Sequence, residues 1–226
     1  MSRRREVQVG GEKSASLPTG TVTFLFTDIE GSTERWEAHR EAMQAALRRH
    51  DRLLRTIIER HGGYVFKTVG DAFCAAFGQA PEAALAAVDL QREMAAADFV
   101  AVGNLRVRAA LHTGQAEERD ADYFGPAVNR VARLLAIGHG GQVLISSATA
   151  ELVRTELPDE LALLDLGTHR LRGLSHEERV YQLLAPGLAN EFLPLTSLRE
   201  LPNNLSAQTT TFRGREHDLE QLNGLL

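Results

Sequence analysis

The chain has 226 residues, 43% of them hydrophobic, enough for one large or two small domains around a buried core. Its formal charge of −5, with the one basic run confined to Arg3–Arg5, leaves no electrostatic footprint for nucleic acid. The single cysteine, Cys74, excludes an intramolecular disulfide framework, and no apolar run reaches the roughly 18 residues that cross a bilayer.

Without the hydrophobic core of a signal peptide at the N-terminus, the expected location is the cytoplasm, with no membrane partner. Residues 1–18 are polar and aperiodic and read as a flexible leader. In TVTFLFTD, Val22, Phe24 and Phe26 alternate with threonines and Leu25, which predicts a strand. From Thr33 to about His61 the positions Trp36, Met43, Leu47, Leu54, Ile57 and Ile58 keep helical spacing, so one long amphipathic helix is expected, stopped by HGG. YVFKTV and AFCAAF, separated only by Gly70 and Asp71, read as a tight hairpin.

A second helix fits Pro81 to about Ala97, and LRVRAALHTG supplies another strand. The order is then βαββαβ, a ferredoxin-like core of the α+β class. PAVNRVARLLAIG reads as a helix closed by Gly138, after which QVLIS, a short helix and RVYQLL add a C-terminal α/β subdomain. The folded unit is expected over 19–186, followed by a Pro/Ser/Thr/Asn-rich linker over 187–211 and the start of another domain at 212–226.

Asp28 ends the first strand, and the turn after it, IEGST, can aim the amides of Gly31, Ser32 and Thr33 at an anion. In a βαββαβ sheet the first and third strands are antiparallel neighbours, which brings Asp71 beside Asp28. Paired carboxylates of this kind suit Mg²⁺ or Mn²⁺. Spacing alone equally allows Asp28 to cap a helix and Asp71 to fill a turn. Lys67, on an alternating strand, could by itself be a solvated surface residue. Asn129 and Arg133, four apart, share one helix face. Cys74 lies among apolar neighbours and reads as a buried, inert thiol. The eight histidines show no metal-ligand spacing, and no Ser-His-Asp or nucleophilic cysteine arrangement is visible.

FLFTDIEGST, KTVGDAF and DYFGPAVNRVARL resemble, in content, order and separation, the three signature stretches of class III adenylyl and guanylyl cyclases, over residues 21 to about 184. The resemblance implies that Asp28 and Asp71 bind two divalent cations, Mg²⁺ or Mn²⁺, with the Ile29 carbonyl assisting one of them. It implies that Lys67 recognises adenine with Asp122 as its acidic partner, although Asp120 is a competing acid nearby. Asn129 and Arg133 match the pair that orients the ribose and stabilises charge on the α-phosphate. Arg108 matches a triphosphate contact, and Arg172 falls near a phosphate-binding lysine, offering a planar fork in place of a point charge. Ser32, where many animal cyclases carry phenylalanine, points to the bacterial branch.

The implied reaction converts ATP to cyclic AMP and pyrophosphate in a head-to-tail homodimer. Its composite sites would set metal and adenine residues of one subunit opposite Asn129 and Arg133 of the other. TTTFRGREHDLEQL resembles the entry to signal-transduction ATPase domains fused behind bacterial cyclases, which implies a fused or partner ATPase regulator; no GxxxxGK[ST] phosphate loop follows it. Two competing readings are a catalytically silent, nucleotide-sensing dimerisation module and a diguanylate cyclase. The second is disfavoured because VFKTVGDAF lacks that family's clustered acids and glycines.

Overall fold

A computed structural model describes residues 17–197. The chain runs β1 (Thr21–Ile29), α1 (Ser32–Ala38), α2 (Arg40–Arg60), β2 (Tyr64–Val69), β3 (Ala72–Phe77), α3 (Ala80–Ala96), β4 (Val107–Gln115), β5 (Glu117–Arg119) and β6 (Asp122–Phe124). It continues through α4 (Pro126–Leu135), β7 (Val143–Ser146), α5 (Ser147–Val153), β8 (Ala162–His169) and β9 (Glu178–Leu184). Seven strands form one sheet in the order β2-β3-β1-β4-β7-β9-β8, and β5 with β6 forms a separate ribbon. The architecture is mixed α+β, as its alternating apolar runs required.

β1 is an interior strand, antiparallel to both β3 and β4. Its alternation feeds two cores. Leu25 and Ile29 face α2, α3 and α5, while Val22, Phe24 and Phe26 face α4. Ala80, Ala83, Ala84, Ala86 and Ala87 are all buried, so α3 meets the sheet through side chains that lose no rotamer entropy. On the opposite face α4 buries Ala127, Val131, Leu134 and Leu135.

Four expectations change. The long helix breaks at His39, whose backbone leaves helical geometry (φ −140°, ψ 49°). α1 gives the core only the partly buried Trp36, and Arg35 ties it elsewhere by donating to the carbonyls of Val102 and Gly103. The C-terminal α/β segment is not a separate subdomain, because β7 pairs in parallel with β4 and extends the same sheet. The linker expected from 187 onward is packed as far as Ser197: Gln182 donates to the Asn190 carbonyl at 3.0 Å, and Thr196 N–H to that of Ile137 at 3.2 Å. Phe192 stacks on His139, with ring centroids 6.3 Å apart. Residues 198–211 and the segment over 212–226 lie outside the described residues, as do 1–16. At the other boundary Leu17 packs against the α4-side core and the Pro18 carbonyl accepts from Tyr123 Oη, so residues 17 and 18 belong to the folded unit and not to the expected leader.

A buried polar chain crosses the sheet. Thr23, Thr113 and Thr149 hydroxyls link at 2.8 and 3.0 Å, and His112 Nδ1 lies 2.8 Å from Ser146 Oγ, which caps α5. Burial, with the Arg130 charge adding to it, pulls the His112 imidazole down from 6.5 to about 4. The folded protein therefore keeps this ring neutral where the unfolded chain protonates it. Stability is fully present above about pH 6.5 and falls as the pH drops toward 4, by about 3 kcal/mol over the whole window. Urea denaturation between pH 7 and 4.5 should show this slope, and His112→Gln should flatten it. An unchanged slope in the variant contradicts the assignment.

Candidate functional site

The site begins where β1 ends. Asp28 shares the parity of Phe24 and Phe26 and so projects on the α4 face, directly across from Arg108 on β4. Pairing of Thr27 with Phe73 sets the start of β3, and Asp71 just before it, beside the end of β1. Asp71 Oδ2 accepts a hydrogen bond from Ile29 N–H at 2.7 Å. The two aspartates, 43 residues apart in sequence, are thus brought to one sheet edge by antiparallel register.

Arg108 grips Asp28 with both arms of its fork, Nε to Oδ1 at 2.7 Å and Nη2 to Oδ2 at 2.6 Å. Burial lifts the Asp28 carboxyl above its ordinary range, with Asp71 and Glu30 adding to it, while Arg108 pulls it back. Gly31 follows in the left-handed region (φ 65°, ψ 30°), where any side chain would be strained. Half-buried Ser32 and exposed Thr33 then open α1.

A second pair stands at the outer strand. β2 skips register between Val65 and Lys67, a bulge that re-aims side chains. Phe66 and Lys67 consequently both serve the α4 face: Phe66 joins that core and Lys67 lies across from Cys74, which belongs to it. Lys67 forms an ion pair with Asp122, which also accepts from Tyr123 N–H at 2.8 Å. The pairing raises the Lys67 ammonium, and it holds Asp122 below the ordinary carboxylate range against the opposing pull of burial. Asp120, the competing acid, occupies the turn between β5 and β6 with a left-handed backbone (φ 55°) and is exposed. Beneath the pair, Phe66 and Tyr123 meet edge to face at 4.9 Å, with Phe24 5.3 Å from Tyr123. Cys74 is buried and its thiol is pushed up to about 11, which leaves it unreactive near neutral pH.

Asn129 and Arg133 lie on the outer face of α4, both exposed, and neither makes a side-chain hydrogen bond or ion pair among the described residues. Arg130 between them turns inward to Glu178 at 2.8 Å; Glu178 is 3% exposed and also accepts from Ser147 Oγ. Arg172 is exposed in the segment between β8 and β9. A cavity of about 720 Å³ opens between β8, β9 and residues 190–197, and none of the site residues lines it. The donor chemistry, not this concavity, marks the site.

Residues 15–185 match the family described as the adenylate and guanylate cyclase catalytic domain. The chain belongs to this family. Its cyclase domain is similar to an uncharacterised protein of Mycobacterium tuberculosis, 44% identical over 218 residues, which cover 94% of this chain and 74% of that protein. It is also similar to a receptor-type adenylate cyclase of Trypanosoma brucei brucei, 35% identical over 237 residues, covering 86% of this chain and 19% of that protein. Among solved structures, an adenylate cyclase of Trypanosoma brucei in its monomeric state superposes with a TM-score of 0.70 at 31% identity, covering 83% of this chain and 98% of that one. The adenylyl cyclase CyaB from P. aeruginosa gives 0.63 at 26% identity, covering 78% and 97%.

The cyclase domain offers hard oxygen donors at Asp28 and Asp71 but, among the described residues, no group of three or more His, Cys, Asp or Glu side chains set to hold a metal ion. Two carboxylates without a full cage fit Mg²⁺, which keeps several waters and shares its shell with substrate phosphates. Also among the described residues, no helix is long and apolar enough to cross a membrane.

Glu30 escaped the sequence reading. Its Oε1 accepts from Gly140 N–H at 3.0 Å and its own N–H donates to the Arg106 carbonyl at 2.9 Å, so it ties the loop after α4 to the residue following Ile29. A Cβ on Gly140 would fall 2.5 Å from Arg106 Cβ and 2.8 Å from Glu30 Oε2. The glycine pair at 140 and 141 was the one visible signal.

Proposed function

We propose that the cyclase domain is an adenylate cyclase that converts ATP to 3′,5′-cyclic AMP and pyrophosphate in composite sites of a head-to-tail homodimer. The observation that carries the reading is the meeting of Asp28 and Asp71 at the edge of β1 and β3. Two divalent cations there, Mg²⁺ or Mn²⁺, would supply Lewis acidity to the reacting hydroxyl and phosphates. The arrangement of β2-β3-β1-β4, with α2 and α3 on one face, supports the ferredoxin-like description of the core.

The choice of ATP rests on Lys67 and Asp122. An ammonium donor beside a carboxylate acceptor matches the acceptor N1 and donor N6 of adenine, and guanine presents the opposite order. Lys67→Met is expected to lower cyclic AMP formation about tenfold to hundredfold and to flatten the preference for ATP over GTP. Competition between the two nucleotides measures this, and a variant that keeps full ATP preference removes the adenine assignment.

Asn129 would hold the ribose, and Arg133 would face the charge that builds on the α-phosphate as the 3′-hydroxyl attacks in line. Catalysis of this kind is positioning plus charge stabilisation, with no covalent intermediate. Arg172 is assigned to the phosphates on the resemblance alone, and the Gly31–Thr33 turn on the amides it can aim at an anion.

The geometry favours a different division of the composite site from the one first expected. Asp122, the partner of Lys67, lies on β6, and only Gly125 separates that strand from α4, which carries Asn129 and Arg133. On this reading base, ribose and α-phosphate contacts would come from one subunit, and the two aspartates from the other.

A further inference from the structure

Each carboxylate oxygen of Asp28 already accepts an N–H from Arg108. The Arg108 fork occupies one with Nε and the other with Nη2, a bidentate charge-assisted geometry stronger and more directional than a single contact. The two side chains are only 26% and 24% exposed, so water screens the pair less than it would at an open surface. A cation ligated by Asp28 has to share those two oxygens with the fork, whose positive charge weakens them as donors and repels the cation.

Nor can Arg108 simply leave. It sits on β4 between buried Val107 and Ala109, and a guanidinium deprived of its bidentate carboxylate in a partly buried site loses its directly paired counter-charge. A polyphosphate removes that difficulty, because the planar fork fits phosphate oxygens as well as carboxylate oxygens. Asp28 can then pass from Arg108 to a cation while Arg108 passes from Asp28 to a phosphate. Every charge gives up one partner only as it gains another.

We infer that Arg108 is a gate on Asp28: it withholds the carboxylate from a bare divalent cation and yields it to a cation that arrives with a polyphosphate. This rests on the two-cation reading of Asp28 and Asp71 and adds a coupling to it. The ligand selected at this edge is the cation–polyphosphate complex, and cation and phosphate each strengthen the binding of the other.

The test is Mn²⁺ binding to the full chain without nucleotide, followed by electron paramagnetic resonance. Arg108→Gln is expected to tighten Mn²⁺ by about tenfold, within the range usual for coupled sites. Arg106→Gln, which removes an equal charge from an exposed neighbour two residues away, should change it by less than about twofold. The gain should vanish in Asp28→Asn/Arg108→Gln. Arg108→Lys, which keeps the charge but not the fork, should fall between wild type and Arg108→Gln, and it serves as the readout if the glutamine variant does not fold. In the wild type, the Arg108 Nε–H resonance should move with Mg²⁺ plus tripolyphosphate and stay in place with Mg²⁺ alone.

Equal Mn²⁺ affinity in wild type, Arg108→Gln and Arg108→Lys overturns the gate, as does a tightening in Arg106→Gln as large as in Arg108→Gln. If Asp28→Asn and Asp71→Asn still abolish binding in that case, the two-cation reading survives. Mn²⁺ binding indifferent to both asparagine variants overturns that reading, and the gate with it.

Discussion

Replacement of Asp28 or Asp71 by alanine should lower cyclic AMP formation by at least about 10³-fold, because a reaction driven by positioning and charge neutralisation has no covalent residue to fall back on. The two positions differ in what else they hold. Asp71 accepts the Ile29 amide at 2.7 Å, so Asp71→Ala should also destabilise by about 1–3 kcal/mol through an unsatisfied, partly buried donor. Asp71→Asn keeps an acceptor oxygen while dropping the charge. It should melt near the wild-type temperature and still be inactive. Asp28→Ala strands the Arg108 fork, whereas Asp28→Asn leaves it one acceptor. Product assays paired with calorimetry separate the roles, and near-normal turnover by a folded variant of either aspartate would sink the metal-ligand reading.

Two inactive proteins should repair each other. In a head-to-tail dimer of Asp28→Ala with Arg133→Ala, one composite site collects both lesions and the other collects neither. About a quarter of wild-type activity is expected on random mixing at equal amounts, since half of the dimers are mixed and each carries one intact site of two. The experiment also locates Lys67. If the Lys67–Asp122 pair travels with α4, Lys67→Met should be rescued by Asp28→Ala and not by Arg133→Ala, and the division first expected gives the reverse. Mass spectrometry must show that heterodimers form. With heterodimers present and no activity recovered in any combination, shared sites are ruled out.

Much of this site was legible before the fold. The alternation of β1 and the two-residue hairpin link at Gly70 and Asp71 were enough to set Asp28 beside Asp71, because antiparallel register leaves little freedom once both strands are placed. The helical offset put Asn129 and Arg133 on one face, and they are there. Other features depend on tertiary partners that local pattern does not encode. α1 leaves the α2 axis at His39 and is tied through Arg35 to the carbonyls of Val102 and Gly103. β5 and β6 are three residues each, too short to show periodicity, yet their turn is what separates Asp122 from Asp120. β8 was missed because it is an edge strand with a register shift between Asp165 and Thr168, which erases alternation. The strap after 186 looked like linker by composition, and its order comes from Phe192, Leu195 and main-chain bonds to the loop after α4. The Asp28–Arg108 pair is a cross-strand contact over 80 residues of sequence, visible only once β1 and β4 are known to be neighbours.

The most direct measurement is product analysis of the purified chain given ATP or GTP, each with Mg²⁺ and with Mn²⁺. Cyclic AMP and pyrophosphate in equal amounts from ATP, with GTP turned over far more slowly, is the expected result. Cyclic GMP as the main product, or ATP bound without any cyclic product even with Mn²⁺, contradicts it, and the second outcome would leave a nucleotide-sensing module in place of an enzyme.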